Sequence, residues 1–77
     1  IDVRTPAEFI NGSIRFANNI PLQELAAEIK KLDVKKPIIT CCASGMRSAS
    51  AKIIFEQNGF EAYNGGNWKS LENKLKG

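Results

Sequence analysis

The sequence predicts an α/β layered fold with a mainly parallel sheet flanked by helices. Three observations carry that expectation. Ile38-Ile39-Thr40-Cys41-Cys42 is short, apolar and β-branched without clean alternation, the pattern of a strand buried on both faces. Residues 22–32 and 47–58 on either side of it carry helical periodicity, and residues 60–63 look like another strand, so strands alternate with helices. Finally, 77 residues with 43% hydrophobic and 25% charged side chains make one small globular domain, residues 1–77, near the lower size limit of a single core.

Each element follows from local chemistry. Ile1-Asp2-Val3-Arg4 reads as part of a strand. Thr5-Pro6-Ala7-Glu8 is a helix start: Thr5 can cap, Pro6 suits the first helical position, and Glu8 can reach back to the cap. Phe9 and Ile10 are expected on the buried side of that helix, which ends at Asn11-Gly12-Ser13. This triplet also spells a glycosylation acceptor, but an Asn-Gly turn is the simpler reading. Residues 14–20 form a loop or short strand closed by Pro21. In residues 22–32, Leu22, Leu25, Ala26, Ile29 and Leu32 recur at helical spacing, with Glu24 and Glu28 early and lysines late, as the helix dipole favours. After the buried strand, Ala43 to Met46 is a tight turn containing Gly45. The next helix points Ala49, Ile53, Ile54 and Phe55 inward and stops at Gly59. Asn64-Gly65-Gly66-Asn67 is read as a turn, with Asn67 capping a last helix that carries Trp68, Leu71 and Leu75.

Composition narrows the function. The chain has no histidine, which excludes imidazole bases, Cys-His dyads, Ser-His-Asp triads and His-containing metal sites; no metal or cofactor is expected. The net charge is +3, but acidic residues are interleaved with the lysines and only three arginines are present, so a nucleic-acid face is not expected. No apolar run approaches a membrane span and no signal peptide is visible. The two cysteines, Cys41 and Cys42, are adjacent and cannot staple distant parts of a fold, which suits a reducing, cytoplasmic setting. The sole methionine is Met46 and the chain starts at Ile1, as expected of a fragment or processed product.

In open parallel sheets, sites form beyond the carboxyl ends of strands. Cys42-Ala43-Ser44-Gly45-Met46-Arg47-Ser48 occupies that place, between buried strand and helix. A thiol at a helix N-terminus has its pKa lowered. A tight loop of small residues turns successive backbone N–H groups toward one point. Arg47 adds a positive charge nearby. Such a loop makes a nucleophilic thiolate without a histidine. Neighbouring residues on a strand face opposite ways, so Cys41 is expected to pack under a helix as core.

The Cys42 loop resembles the Cys-x-x-Gly-x-Arg-Ser pattern of the rhodanese (sulfurtransferase) family, with Cys42, Gly45, Arg47 and Ser48 on its positions. Asp2-Val3-Arg4, Pro6 and Glu8-Phe9 resemble the family's Asp-Val-Arg-x-Pro-x-Glu-Phe/Tyr segment. Gly12, Ile14, Ala17 and Asn19-Ile20-Pro21-Leu22 are similar to its Gly-His-Ile-x-Gly-Ala-x-Asn-Ile-Pro stretch, with Ser13 in place of His and Phe16 in place of Gly. Asn58-Gly59-Phe60 and Gly65-Gly66 follow in order, with Trp68 sooner after the glycines than is usual. The resemblance spans essentially the whole chain. It implies the three-layer rhodanese-like fold without the family's first strand and helix, and hence an open sheet edge beside residues 60–63.

It also implies a function: transfer of sulfane sulfur from thiosulfate or a persulfide donor to a thiol or cyanide through a Cys42 persulfide. On that reading Cys42 is the nucleophile and the N–H groups of Ala43, Ser44, Gly45, Met46, Arg47 and Ser48 hold the persulfide. Arg47 binds the donor anion, and Asp2 and Arg4 support the loop from behind. The expected partners are a small-molecule sulfur donor and a thiol acceptor, such as a thioredoxin-like protein or a larger host, with the domain itself monomeric. Two rivals stand beside it. One is a non-catalytic or redox-regulatory rhodanese-like module of a larger protein, for instance a flavin-dependent disulfide reductase. The other is a Cys-based phosphatase or arsenate reductase, whose Cys-to-Arg spacing is met by counting from Cys41 but leaves Gly45 one place off.

Overall fold

The structure is a computed structural model that describes residues 1–76. Its elements in chain order are α1 (Pro6–Ile10), a 3₁₀ turn (Leu22–Glu24), α2 (Leu25–Glu28), a second 3₁₀ turn (Ile29–Lys31), β1 (Ile38–Cys42), α3 (Met46–Gln57), β2 (Ala62–Asn67) and α4 (Trp68–Lys76). β1 and β2 pair in parallel. Asp2 forms single-residue parallel bridges to both Asn19 and Cys41, extending the sheet beyond β1. The bridging segment is held by Val3 N–H to Cys41 O at 3.0 Å and Cys41 N–H to Ile1 O at 2.9 Å. Among the described residues, no strand pairs with the other edge of β2.

The sheet separates two helical layers. On one face Thr40 donates to the Ser48 carbonyl of α3 at 2.8 Å, and Cys42 faces the same helix. On the other, Cys41 lines a small cavity with Leu71 and Leu75 of α4. The main core lies on the α3 side, where Val3, Leu25, Ile29, Ala51, Phe55 and Phe60 are buried together. Phe55 and Phe60 meet edge-to-face with centroids 5.1 Å apart.

α1 forms as its capping box dictates. Glu8 N–H donates to Thr5 Oγ1 at 3.3 Å and Thr5 N–H donates back to Glu8 Oε1 at 3.0 Å. Ile10 is not buried, however, being 81% exposed. One turn of helix carries a single inward face, and Phe9 takes it.

The amphipathic run over residues 22–32 does not form one helix. Only Leu25–Glu28 is α-helical, between two 3₁₀ turns, and neither end has a side-chain cap. Pro21 stands where a capping hydroxyl would be needed. Without caps the ends tighten into i→i+3 bonds. Leu25 and Ile29 still share the buried face, whereas Ala26 is exposed.

Three further expectations need correction. β1 is buried on both faces only from Thr40 onward, and Ile39 is 43% exposed. In α3 the inward positions are Ser48, Ala51 and Phe55, while Ile53 is 54% exposed. A serine takes a core place because the site occupies the N-terminal end of that face. Finally, the second strand is Ala62–Asn67, so the expected Asn64–Asn67 turn is strand. Gly65 is the reason: a Cβ there would lie 2.8 Å from Thr40 O, so only glycine lets β2 approach β1 this closely. Asn67 does cap α4, accepting from Lys69 N–H at 2.9 Å and Ser70 N–H at 3.1 Å.

Candidate active site

Cys42 ends β1, and the chain then turns sharply through Ala43–Met46 into α3. The turn needs Gly45, whose φ of +95° lies in the left-handed region. Its effect is to aim backbone N–H groups back at the sulfur. Gly45 N–H donates to Cys42 Sγ at 2.9 Å and Ser48 N–H at 3.4 Å. The Ser48 hydroxyl lies 3.4 Å from the same sulfur. Cys42 has no solvent-exposed surface, yet what covers it is thin: Ala43, Ser44 and Met46 are themselves exposed.

Burial alone pushes the Cys42 thiol up, but hydrogen bonds from Ser48, through side chain and backbone, and from the Gly45 and Ser44 N–H groups together outweigh it. The net pKa lies below the ordinary thiol value. Cys41 lies in the opposite environment. Burial, with Asp2 nearby, pushes its thiol up to about 11. The two cysteines are thus distinct: one N–H-solvated sulfur on the loop side, one thiol raised by burial on the α4 side.

Arg47 is part of the loop, but its guanidinium is already engaged. It donates to Glu8 through Nη1 at 2.8 Å and Nη2 at 3.0 Å, a bidentate pair. The same bond, with help from the Thr5 backbone N–H, holds the Glu8 carboxyl down to about 2. A cavity of about 220 Å³ opens beside Arg47, lined also by Val3, Thr5, Pro21, Leu22 and Gln23.

Asp2 and Arg4 lie behind the loop as a buried pair, with side chains 0% and 5% exposed. Arg4 Nη2 donates to Asp2 Oδ2 at 2.7 Å and to Gly12 O at 2.7 Å, while Nη1 reaches Glu8 O at 3.4 Å. Its guanidinium also stacks 4.9 Å from the Trp68 ring centroid. The pair therefore acts on the site through α1: it holds the carbonyls around Glu8, and Glu8 holds Arg47.

Three contributors went unnoticed in the sequence as site residues. In the sequence Glu8 shows as a helix cap and as one position of the family-like segment, but not as the partner of Arg47. Asn64 and Asn67 were readable only as turn and cap residues, although their placement around Gly65-Gly66 was the available signal. The pairing register skips between Thr40–Asn64 and Cys42–Asn67, so β2 bulges at the glycines. That bulge brings both asparagines against the loop. Asn67 Nδ2 donates to Ala43 O at 2.5 Å and Asn64 Nδ2 to Gly45 O at 3.3 Å. Among the described residues, no cluster of three or more His, Cys, Asp or Glu could hold a metal, and no helix is long and apolar enough to cross a membrane.

The site is a buried cysteine sulfur that accepts loop N–H groups at the end of a parallel strand. The rhodanese-like domain family model matches residues 1–71, and the chain belongs to that family. A rhodanese-related protein from Thermoplasma volcanium superposes with a TM-score of 0.80 at 39% identity, covering 95% of this chain and 75% of that one. The protein YqhL of Bacillus subtilis is 38% identical over 99% of this chain and 62% of its own length. A sulfurtransferase of Allochromatium vinosum is 30% identical over 78% of this chain and 56% of its own. The chain thus spans about three fifths of the length of these curated relatives.

Proposed function

We propose that this domain is a sulfurtransferase that carries sulfane sulfur on Cys42. The observation that carries the reading is the Cys42 sulfur, which accepts N–H groups of Gly45 and Ser48 and is held below the ordinary thiol pKa with no histidine in the chain. In the first half-reaction the Cys42 thiolate attacks the outer sulfur of thiosulfate or a persulfide. The Sγ–S bond forms, the donor's S–S bond breaks, and its electron pair leaves with sulfite or a thiolate. In the second, an acceptor thiolate or cyanide attacks the outer sulfur of the Cys42 persulfide, and Sγ departs as the thiolate it was. No external oxidant or reductant is needed, and no proton relay is required. Sulfur entry needs the thin Ala43–Met46 layer to give way, since Cys42 is fully covered. Arg47 reaches a donor anion only in competition with Glu8. The acceptor is a thiol, on a small molecule, a thioredoxin-like protein or a longer chain containing this domain.

The test is single-turnover transfer from thiosulfate to cyanide, with mass spectrometry of the intermediate. The wild type is expected to gain one sulfur on Cys42 and to release it as thiocyanate, and Cys42→Ala to do neither. A folded wild type that takes up no sulfur from either thiosulfate or a persulfide would sink the proposal and leave a regulatory module as the better reading.

A further inference from the structure

The Ser48 hydroxyl has one proton and three acceptors around it: Asn64 Oδ1 at 2.6 Å, Gly45 O at 3.1 Å and the Cys42 sulfur at 3.4 Å. Which acceptor takes it is decided by Asn64. Gly66 N–H donates to Asn64 Oδ1 at 2.9 Å, and Gly45 O accepts from Asn64 Nδ2 at 3.3 Å. A backbone N–H can only meet the oxygen of an amide, and a carbonyl can only meet its nitrogen. The amide is therefore fixed from both sides, although Asn64 lies at the exposed rim. Its oxygen has nothing to donate, so Ser48 must be the donor of the short bond between them. The Ser48 lone pairs are left facing Sγ, and the resting thiol S–H donates to them.

We propose that Asn64 is a positioning residue for Cys42: it holds the Ser48 proton away from the sulfur in the resting thiol and releases it to the thiolate when that forms. On ionisation the Cys42 proton leaves to solvent, and the Ser48 O–H turns from Asn64 Oδ1 to Sγ. Asn64 thus competes with the thiolate for the one side-chain donor in the cradle. The role rests on the reading of Cys42 as the working thiol. Charged and titratable groups near Cys42 are Arg47 on α3, its partner Glu8 on α1, Cys41 on β1 and the Asp2–Arg4 pair. Both ion pairs are internally neutralised, and β2 presents only the uncharged Asn64 and Asn67 to the loop.

The experiment is a pH titration of the Cys42 Cβ NMR shift in the full 77-residue chain, without any sulfur donor, on Asn64→Ala, Ser48→Ala and the double variant. Asn64→Ala is expected to move the Cys42 midpoint down by up to about one pH unit, the effect of freeing one hydrogen-bond donor. In the Ser48→Ala background the same change is expected to do nothing, because Asn64 acts through that hydroxyl. Should Asn64→Ala not fold, Asn64→Asp keeps the acceptor and is expected to raise the midpoint more in the wild-type background than in Ser48→Ala, where only its charge acts. A rise or no change with folded Asn64→Ala, an equal fall in both backgrounds, or an equal rise in both with Asn64→Asp overturns the proposal. Because no donor is present, failure of sulfur loading would strike the transfer reading alone and leave this result standing.

Discussion

Gly65→Ala tests the packing that brings β2 to the site. An ideal Cβ at Gly65 would lie 2.7 Å from Leu71 Cδ2, 2.8 Å from Thr40 O and 3.0 Å from Ile39 Cγ2. The leucine methyl ends a flexible side chain and can swing away. The Thr40 carbonyl cannot, because it belongs to β1 where Thr40 pairs with Asn64. β2 must therefore recede by roughly half an ångström. Overpacking of this kind costs about 1–3 kcal/mol. Taking about 2 kcal/mol, a domain of this size loses roughly 8–16 °C in Tm. The assay is thermal unfolding followed by circular dichroism, with Gly66→Asn as the companion. Gly66 has φ +75° and open space around its Cβ position, and asparagine tolerates that conformation, so its cost is well below that of Gly65→Ala. Sulfur loading of Cys42 should slow as well, since the same retreat draws Asn64 and Asn67 off the loop. A Gly65→Ala Tm within about 2 °C of wild type, or a larger loss from Gly66→Asn, would refute the close-approach argument.

The remaining expectations concern charge. Asp2→Ala leaves Arg4 buried without its carboxylate and should cost about 3–5 kcal/mol in urea unfolding, against near-neutrality if the pair were an ordinary surface one. Glu8→Gln releases Arg47 from its bidentate partner, so the KM for thiosulfate should fall several-fold while that for an uncharged persulfide donor changes little; a rise in both would show that Glu8 mainly holds the loop in shape. Because the Glu8 carboxyl is held down at about 2, below its unfolded value, the stability it contributes is present above the ordinary carboxylate range and is lost as pH falls toward about 2. Acid unfolding of Glu8→Gln should lack that component, read as a flatter slope of Tm against pH over the same range. An NMR titration of labelled cysteines should separate two midpoints, Cys42 below the ordinary thiol value and Cys41 at about 11; a single shared midpoint would contradict the assignment of their faces.

The parts of the fold that were legible in sequence are those set by neighbours along the chain. The capping box at Thr5 and Glu8, the glycine turn and the Asn67 cap each close within a few residues, while the strand at Ile38–Cys42 shows in its own β-branched apolar run although its pairing partners lie far along the chain. Where the outcome depends on distant packing, the local pattern misleads. Apolar spacing in residues 22–32 marked the right buried pair, Leu25 and Ile29, but could not say that uncapped ends would tighten to 3₁₀. Gly65-Gly66 carries every local mark of a turn. Its strand state is set by Thr40 and Ile39, some 25 residues earlier, against which only a missing Cβ fits.

The same division runs through the site. Cys42, Gly45 and Ser48 are readable together because one short loop carries both the sulfur and the N–H groups that face it. Arg47 was readable as a charge but not as a neutralised one, because its partner Glu8 is 39 residues away and already has a visible task as a cap. That dual use has a mechanical consequence. Glu8 Oε1 accepts from Thr5 N–H and from Arg47 Nη1, and Arg4 holds the Glu8 carbonyl from behind. The Asp2–Arg4 pair, α1, Glu8 and Arg47 therefore form one chain of contacts from the buried sheet to the rim of the cysteine loop. Asn64 and Asn67 clasp the loop from the opposite side. A Cys42 thiolate of the proposed kind would depend on the loop that aims those N–H groups, and the two clasps hold that loop from opposite sides.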